Sequence, residues 1–142
     1  MHELDDAGTR SVVALQRLQA AYADTVTRRD WAAVRDLFEP DAAVHLDLGA
    51  RGSIELTSPA ELVVFVERAL EPFAFFEMAV LNAVVDLDAA AGATGRMYIC
   101  ELRRDRDGAW SEAYGVYRDR FTRRDGAWRF ADRHYTSLAQ VR

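Results

Sequence analysis

The residues of this chain that can move a proton or hold an ion fall in a few short stretches. Glu101 stands in Arg96-Met97-Tyr98-Ile99-Cys100-Glu101-Leu102. If odd positions of that strand face inward, Glu101 reaches the mouth of a pocket. A carboxylate taken out of water there has a raised pKa and can act as acid or base. A strand-end ion pair with one of the many arginines is the plainer reading. Tyr117 alternates with Ala113 and Gly115, an inward face whose small residues leave room for a ligand. Its phenol can donate to a developing oxyanion. Tyr22 can orient a ligand or be a core tyrosine with one hydrogen bond. Asn82 interrupts an apolar strand; a buried amide needs partners, so it pins backbone or meets a ligand. Arg133 and Tyr135 alternate on the last strand. An arginine there suits a carboxylate or phenolate, or belongs to a solvated face.

Metal ligation has less support. His45 and Asp47 alternate on one short strand and His134 lies far along the chain. Two donors from one strand without a clear third do not make a site. No metal and no cofactor are expected. Cys100 is the one cysteine, which excludes an intrachain disulfide and paired-cysteine zinc binding; on its strand it reads as a packed small residue. No GxGxxG, Walker, HExxH or GxSxG motif occurs.

These residues sit on elements that the sequence pattern defines. Thr9 or Ser11 can cap a first helix, with Val12, Leu15, Leu18, Tyr22 and Val26 as its apolar stripe. Asp30 can cap a short second helix, which Pro40 ends. Ala43 to Leu48 alternates as a strand with Val44, Leu46 and Leu48 on one face. Ser58-Pro59-Ala60-Glu61 starts a third helix with a capping box. Then come strands over Phe75–Leu87, Ala93–Arg103, Trp110–Thr122 and Ala127–Ser137, split by turns at Asp88–Gly92, Asp105–Gly108 and Arg124–Gly126. Helices followed by a meander predict an α+β fold, with helices covering one sheet face. Residues 1–9 are expected to be a flexible N-terminus and residues 10–142 one domain.

Composition narrows the function classes. The chain has 142 residues, half of them hydrophobic, and a net charge of −5. That suits one domain and lacks the basic field of a nucleic-acid binder. All 18 basic residues are arginine, so single arginines carry little functional weight. No apolar run approaches the ~18 residues of a membrane span, and the N-terminus lacks a signal-peptide pattern; a cytoplasmic protein with no membrane partner is expected.

Several stretches together resemble a known family. They are Tyr22-Ala23-Asp24 before Asp30-Trp31, Leu37-Phe38, Asp41-Ala42-Ala43-Val44, Asn82 within Val80–Leu87, Gly115–Phe121 and Asp125-Gly126-Ala127-Trp128-Arg129-Phe130. They resemble the SnoaL-like branch of the nuclear transport factor 2-like superfamily. The resemblance implies a cone-shaped fold: N-terminal helices packed in a curved antiparallel sheet, with a small apolar ligand bound inside. It also implies a homodimer through the outer sheet face, where Tyr98, Tyr114 and Trp128 would otherwise leave an apolar patch.

Activities in the superfamily range over cyclases, dehydratases, isomerases, dioxygenase small subunits and non-catalytic binders, so fold does not fix function. Laid over a dehydratase of this superfamily, Val26 and Thr27 stand where its tyrosine and aspartate stand. Met78 and a position near Arg103 replace its histidines, and Leu46 a tyrosine. Tyr22, Tyr117, Arg133 and Tyr135 fall on its pocket-wall positions. Leu46 also stands where an isomerase has its aspartate base. Valine, leucine and methionine cannot transfer protons, but they make an apolar pocket wall. The expected substrate pocket is therefore Tyr22, Val26, Leu46, Met78, Asn82, Gly115, Tyr117, Arg133 and Tyr135, with Glu101, Tyr117 and Tyr22 as candidate proton carriers. The expected function is a cofactor-independent cyclase, dehydratase or isomerase on an apolar polycyclic or aromatic substrate. A non-catalytic ligand binder and an accessory dioxygenase subunit are the alternatives.

Overall fold

Capping residues set the helices. In a computed structural model, which describes residues 3–88 and 92–142, helix α1 spans Asp6–Thr27. Its cap is Asp5, which accepts the Gly8 N–H at 2.7 Å, so the helix begins ahead of Thr9 and Ser11. Helix α2 is Trp31–Asp36, capped by Asp30 through the Ala33 N–H at 3.2 Å. Arg29, at φ 57°, makes the corner between the two. Helix α3 is Pro59–Leu70. Ser58 Oγ accepts from Glu61 N–H, and the Glu61 carboxylate reaches back to the Thr57 N–H at 2.7 Å. The capping box thus closes one residue earlier than its usual form.

The sheet has six strands: β1 Phe38–Asp47, β2 Ser53–Leu56, β3 Phe73–Asp88, β4 Gly92–Asp105, β5 Trp110–Arg124 and β6 Ala127–Val141. Their order is β2-β1-β6-β5-β4-β3. All neighbours are antiparallel except β1 and β6, which run parallel. Strand β1 starts earlier than expected and contains Pro40. The proline sits where the β1–β6 register slips between Phe38 and Ala43, a break that spares a central ladder its missing N–H. Strand β2 was not apparent in the sequence. It returns against β1 through a 3₁₀ turn, Gly49–Arg51, between Gly49 at φ 64° and Gly52 at φ 91°. Asp125 and Gly126 both take positive φ at the β5–β6 hairpin, as a tight primed turn requires. The expected turn at Asp88–Gly92 includes residues outside the described ones.

The sheet curls round α1, whose Leu15, Leu18, Tyr22 and Val26 are buried with sheet residues such as Met97, Ile99, Phe121 and Phe130. Irregularities in the ladder decide which side chains enter. Phe121 pairs Phe130 while Arg120 pairs Asp132, so Ala131 is an extra residue. The phase flips there, and Phe130 and Arg133 both face inward. Trp128, on Phe130's side of the flip, packs against the core rather than contributing to an outer patch. A second slip puts Gly115 opposite Ser137 and Tyr114 opposite Ala139.

Gly115 is required for a packing reason. A Cβ there would lie 2.2 Å from Tyr135 Oη and 2.3 Å from its ring carbons. Gly115→Ala is expected to destabilise the fold by about 1–3 kcal/mol through overpacking, read by urea denaturation. Unaltered stability would mean that the Tyr135 ring does not rest on that strand.

Candidate functional site

Between the concave sheet face and helices α1 and α3 lies a cavity of about 170 Å³. Helix α1 contributes Tyr22 and Val26, and β1 contributes Val44, Leu46 and Leu48. The amphipathic face of α3 supplies Leu62, Phe65 and Val66; β3 adds Phe73, Phe76 and Met78. This wall is apolar. The opposite wall carries the polar groups: Glu101 and Arg103 from β4, Tyr117 from β5, Tyr135 from β6, with Arg51 and Gln140 at the rim. Alternation along β4 does put Met97, Ile99 and Glu101 on one face, with Met97 and Ile99 fully buried.

Of the sequence-selected residues, the cavity brings together Tyr22, Val26, Leu46, Met78, Glu101, Tyr117 and Tyr135. Three others are placed elsewhere. Asn82 is exposed: the β3–β4 register slips between Val80 and Asn82, and β3 is an edge strand. Gly115 gives its space to the Tyr135 ring. Arg133 lies behind the cavity wall. Arg51, Arg103 and the α3 residues were not anticipated as pocket groups, although the apolar stripe of α3 is legible as a face that must cover something.

Arg133 is fully buried, so it is not part of a solvated face, and it is not among the cavity-lining residues where the expected pocket had it. It is register partner to Asp119, and donates to it from Nε at 2.6 Å and Nη2 at 3.1 Å. Its guanidinium carbon rests over the rings of Tyr117 at 3.8 Å, Phe130 at 4.1 Å and Tyr22 at 4.2 Å. Such desolvated cation–π contacts are among the stronger ones. Burial works against the Arg133 charge, but the Asp119 carboxylate and the two tyrosines outweigh it and the guanidinium is held ionised. Asp119 was legible in principle, because it alternates with Gly115 and Tyr117.

The polar wall has definite electrostatics. Burial raises Glu101 above the usual carboxylate range, and Arg103 and Arg51 counteract only part of this. Arg103 Nη1 stands 3.6 Å from Glu101 Oε1, a loose pairing that leaves the carboxylate facing the cavity. Arg103 is steadied by its Nε–H bond to Ser111 Oγ at 3.1 Å. Tyr22 meets Tyr117 edge-on with ring centroids 5.5 Å apart, and Tyr117 packs on Tyr135 with centroids 4.8 Å apart. Burial raises all three phenols, and Arg133 opposes the rise at Tyr22 and Tyr117. They are therefore neutral donors. The site combines one proton-accepting carboxylate with phenol donors across an apolar floor. Thr27 does not enter the cavity; its Oγ1 accepts the Met78 N–H at 3.0 Å and ties α1 to β3.

His45 and His134 lie on the other side of the sheet, stacked on one another. Asp47 does not join them; its carboxylate accepts the Gly49 N–H at 3.1 Å. Cys100 is buried, and no helix among the described residues is long and apolar enough to cross a membrane.

A family model for the SnoaL-like domain matches residues 9–134. No curated protein matches by sequence. Solved structures share the fold. A candidate scytalone dehydratase from Novosphingobium aromaticivorans has a TM-score of 0.85 at 18% identity, covering 97% of this chain and 91% of that one. The hexachlorocyclohexane dehydrochlorinase LinA-type3 from Novosphingobium barchaimii has a TM-score of 0.78 at 18% identity, covering 95% and 90%. The β subunit of a candidate aromatic-ring-hydroxylating dioxygenase from N. aromaticivorans has a TM-score of 0.77 at 16% identity, covering 96% and 94%.

Two outcomes follow from the charges. Asp119→Ala strands a buried guanidinium and is expected to cost about 3–5 kcal/mol, measured by denaturant unfolding. Glu101 has a higher pKa folded than unfolded. Its stabilising contribution is complete below the unfolded-state pKa and is lost as pH rises through the folded-state pKa. The Tm of Glu101→Gln, relative to the natural chain, should therefore be higher at about pH 8 than at about pH 3. A pH-independent offset would contradict the desolvation of Glu101.

Proposed function

The chain belongs to the SnoaL-like domain family, and we propose that it is a cofactor-independent enzyme acting on a small apolar, ring-containing molecule. The observation that carries this reading is Glu101, a largely desolvated carboxylate facing the cavity beside three phenols. Glu101 takes a proton from the substrate, and a tyrosine hydroxyl, Tyr117 first and Tyr22 second, hydrogen-bonds the oxygen on which charge develops. Dehydration, isomerisation and cyclisation all fit that division of labour. The apolar wall orients the ring, which itself lowers the barrier.

Volume refines the substrate class. About 170 Å³ is close to the roughly 150 Å³ cavity lined by apolar side chains that holds benzene. A single ring with one oxygen substituent suits this space better than a polycyclic skeleton. The candidate scytalone dehydratase and the dehydrochlorinase of like fold are named for eliminations on this scaffold, which supports the class of chemistry and not its identity here. An open cavity is a poor match for an accessory subunit whose interior is filled. We include in the proposal a homodimer through the outer sheet face, where Tyr98 and Tyr114 are half-buried in the single chain.

The test is a thermal-shift screen of single-ring ketones, phenols and cyclic alcohols, followed by mass spectrometry of each recovered hit. Conversion by the natural chain is expected, with Glu101→Gln lowering turnover by about 10²–10⁴-fold while binding persists. Hits recovered chemically unchanged would establish the alternative, a binding protein. Light scattering is expected to give twice the chain mass; a monomer would remove the outer-face dimer.

A further inference from the structure

The outer face of the sheet carries a second cluster with its own chemistry. His45 and His134 are register partners on the parallel pair β1–β6. Their rings stack with centroids 4.3 Å apart and planes 18° from parallel. Both Nε2 atoms turn to one carboxylate: His134 Nε2 is 3.1 Å from Asp132 Oδ2, and His45 Nε2 is 3.8 Å from Asp132 Oδ1. A tetrahedral ion with bonds of about 2.1 Å holds its donors about 3.4 Å apart, and these two separations bracket that value. Donor atoms of all three residues lie within 4.8 Å of one another, and binding one ion turns the two stacked rings out of their near-parallel arrangement so that both Nε2 lone pairs converge.

A second observation points the same way. On β2, register partner of β1, Glu55 places Oε1 3.2 Å from His45 Nδ1. A carboxylate at that nitrogen keeps its proton on Nδ1 and leaves the Nε2 lone pair for an ion, the outer arrangement typical of metal-bound histidine. The His45, Asp132 and His134 side chains are 33%, 30% and 53% exposed, so an ion with its water reaches them without opening the core.

We propose that His45, Asp132 and His134 ligate a divalent ion of zinc type, with Glu55 as the positioning residue. Two imidazoles and one carboxylate suit such borderline ions rather than calcium or magnesium, and water takes the fourth position. Arg118 and Arg120, the β5 register partners of His134 and Asp132, add positive charge alongside and moderate the affinity. The ion clamps β1 to β6 from outside, behind the strand whose inner face gives Val44 and Leu46 to the cavity. It takes no part in the reaction proposed above and stands or falls independently of it.

The test uses the full, tag-free chain stripped of metal. Zn²⁺ is titrated by calorimetry and Co²⁺ by visible absorption. Expected is about one ion per chain, with the strong visible bands of a tetrahedral cobalt site. His134→Ala and His45→Ala should each weaken binding at least tenfold, and Glu55→Gln by about 10–100-fold, all with native circular dichroism. Asp47→Asn should bind as the natural chain does. Zn²⁺ should raise the Tm of the natural chain but not of His134→Ala. Absence of binding, or equal affinity in the histidine variants and the natural chain, would overturn the site.

Discussion

A guanidinium shut away from water is the point on which the interior is organised. Arg133 on β6 faces Asp119 on β5 and is roofed by Tyr22, Tyr117 and Phe130. A buried ion pair is not intrinsically stabilising; it persists where geometry and further contacts meet the desolvation cost. Here those contacts are the rings. The pair therefore fixes where two tyrosines stand and joins α1 to the two central strands. The cavity begins on the other side of those same rings. Its polar wall is in effect the front of a structure whose back is an ion pair.

Steric detail extends the same constraint. Tyr135 lies flat on Gly115 because no Cβ intervenes, and it packs on Tyr117. The extra residue at Ala131 turns Arg133 inward and leaves Asp132 and His134 outward. One bulge thus serves both faces of the sheet, setting the buried pair on the inside and the histidine–carboxylate cluster on the outside. Bulges commonly re-aim side chains in this way.

Much of the architecture was legible because local signals agreed. The stripe on α1, the Ser58 start of α3 and the Asp-Gly hairpin all point to the observed elements, as consistent sequences do. Glu101 and Tyr117 were legible through strand alternation alone. Arg133 was misjudged because an arginine-rich composition lowers the weight of any one arginine, and its burial depends on a partner directly opposite on the neighbouring strand, which only the β5–β6 register reveals. Asn82 and Trp128 were misjudged because period-two reasoning fails across a bulge. The histidine pair required knowing that β1 lies parallel to β6, a long-range pairing that local pattern does not encode. The absence of acid–base groups at Val26, Leu46 and Met78 was legible, and those three do form the apolar floor.

The central claim is a hollow that accepts a guest between the apolar floor and the tyrosine wall. Diffraction from a crystal exposed to xenon or benzene measures it directly. The account predicts a single strong peak enclosed by Leu46, Met78 and Tyr117. Side chains filling that space, with no peak under saturating gas, would contradict it.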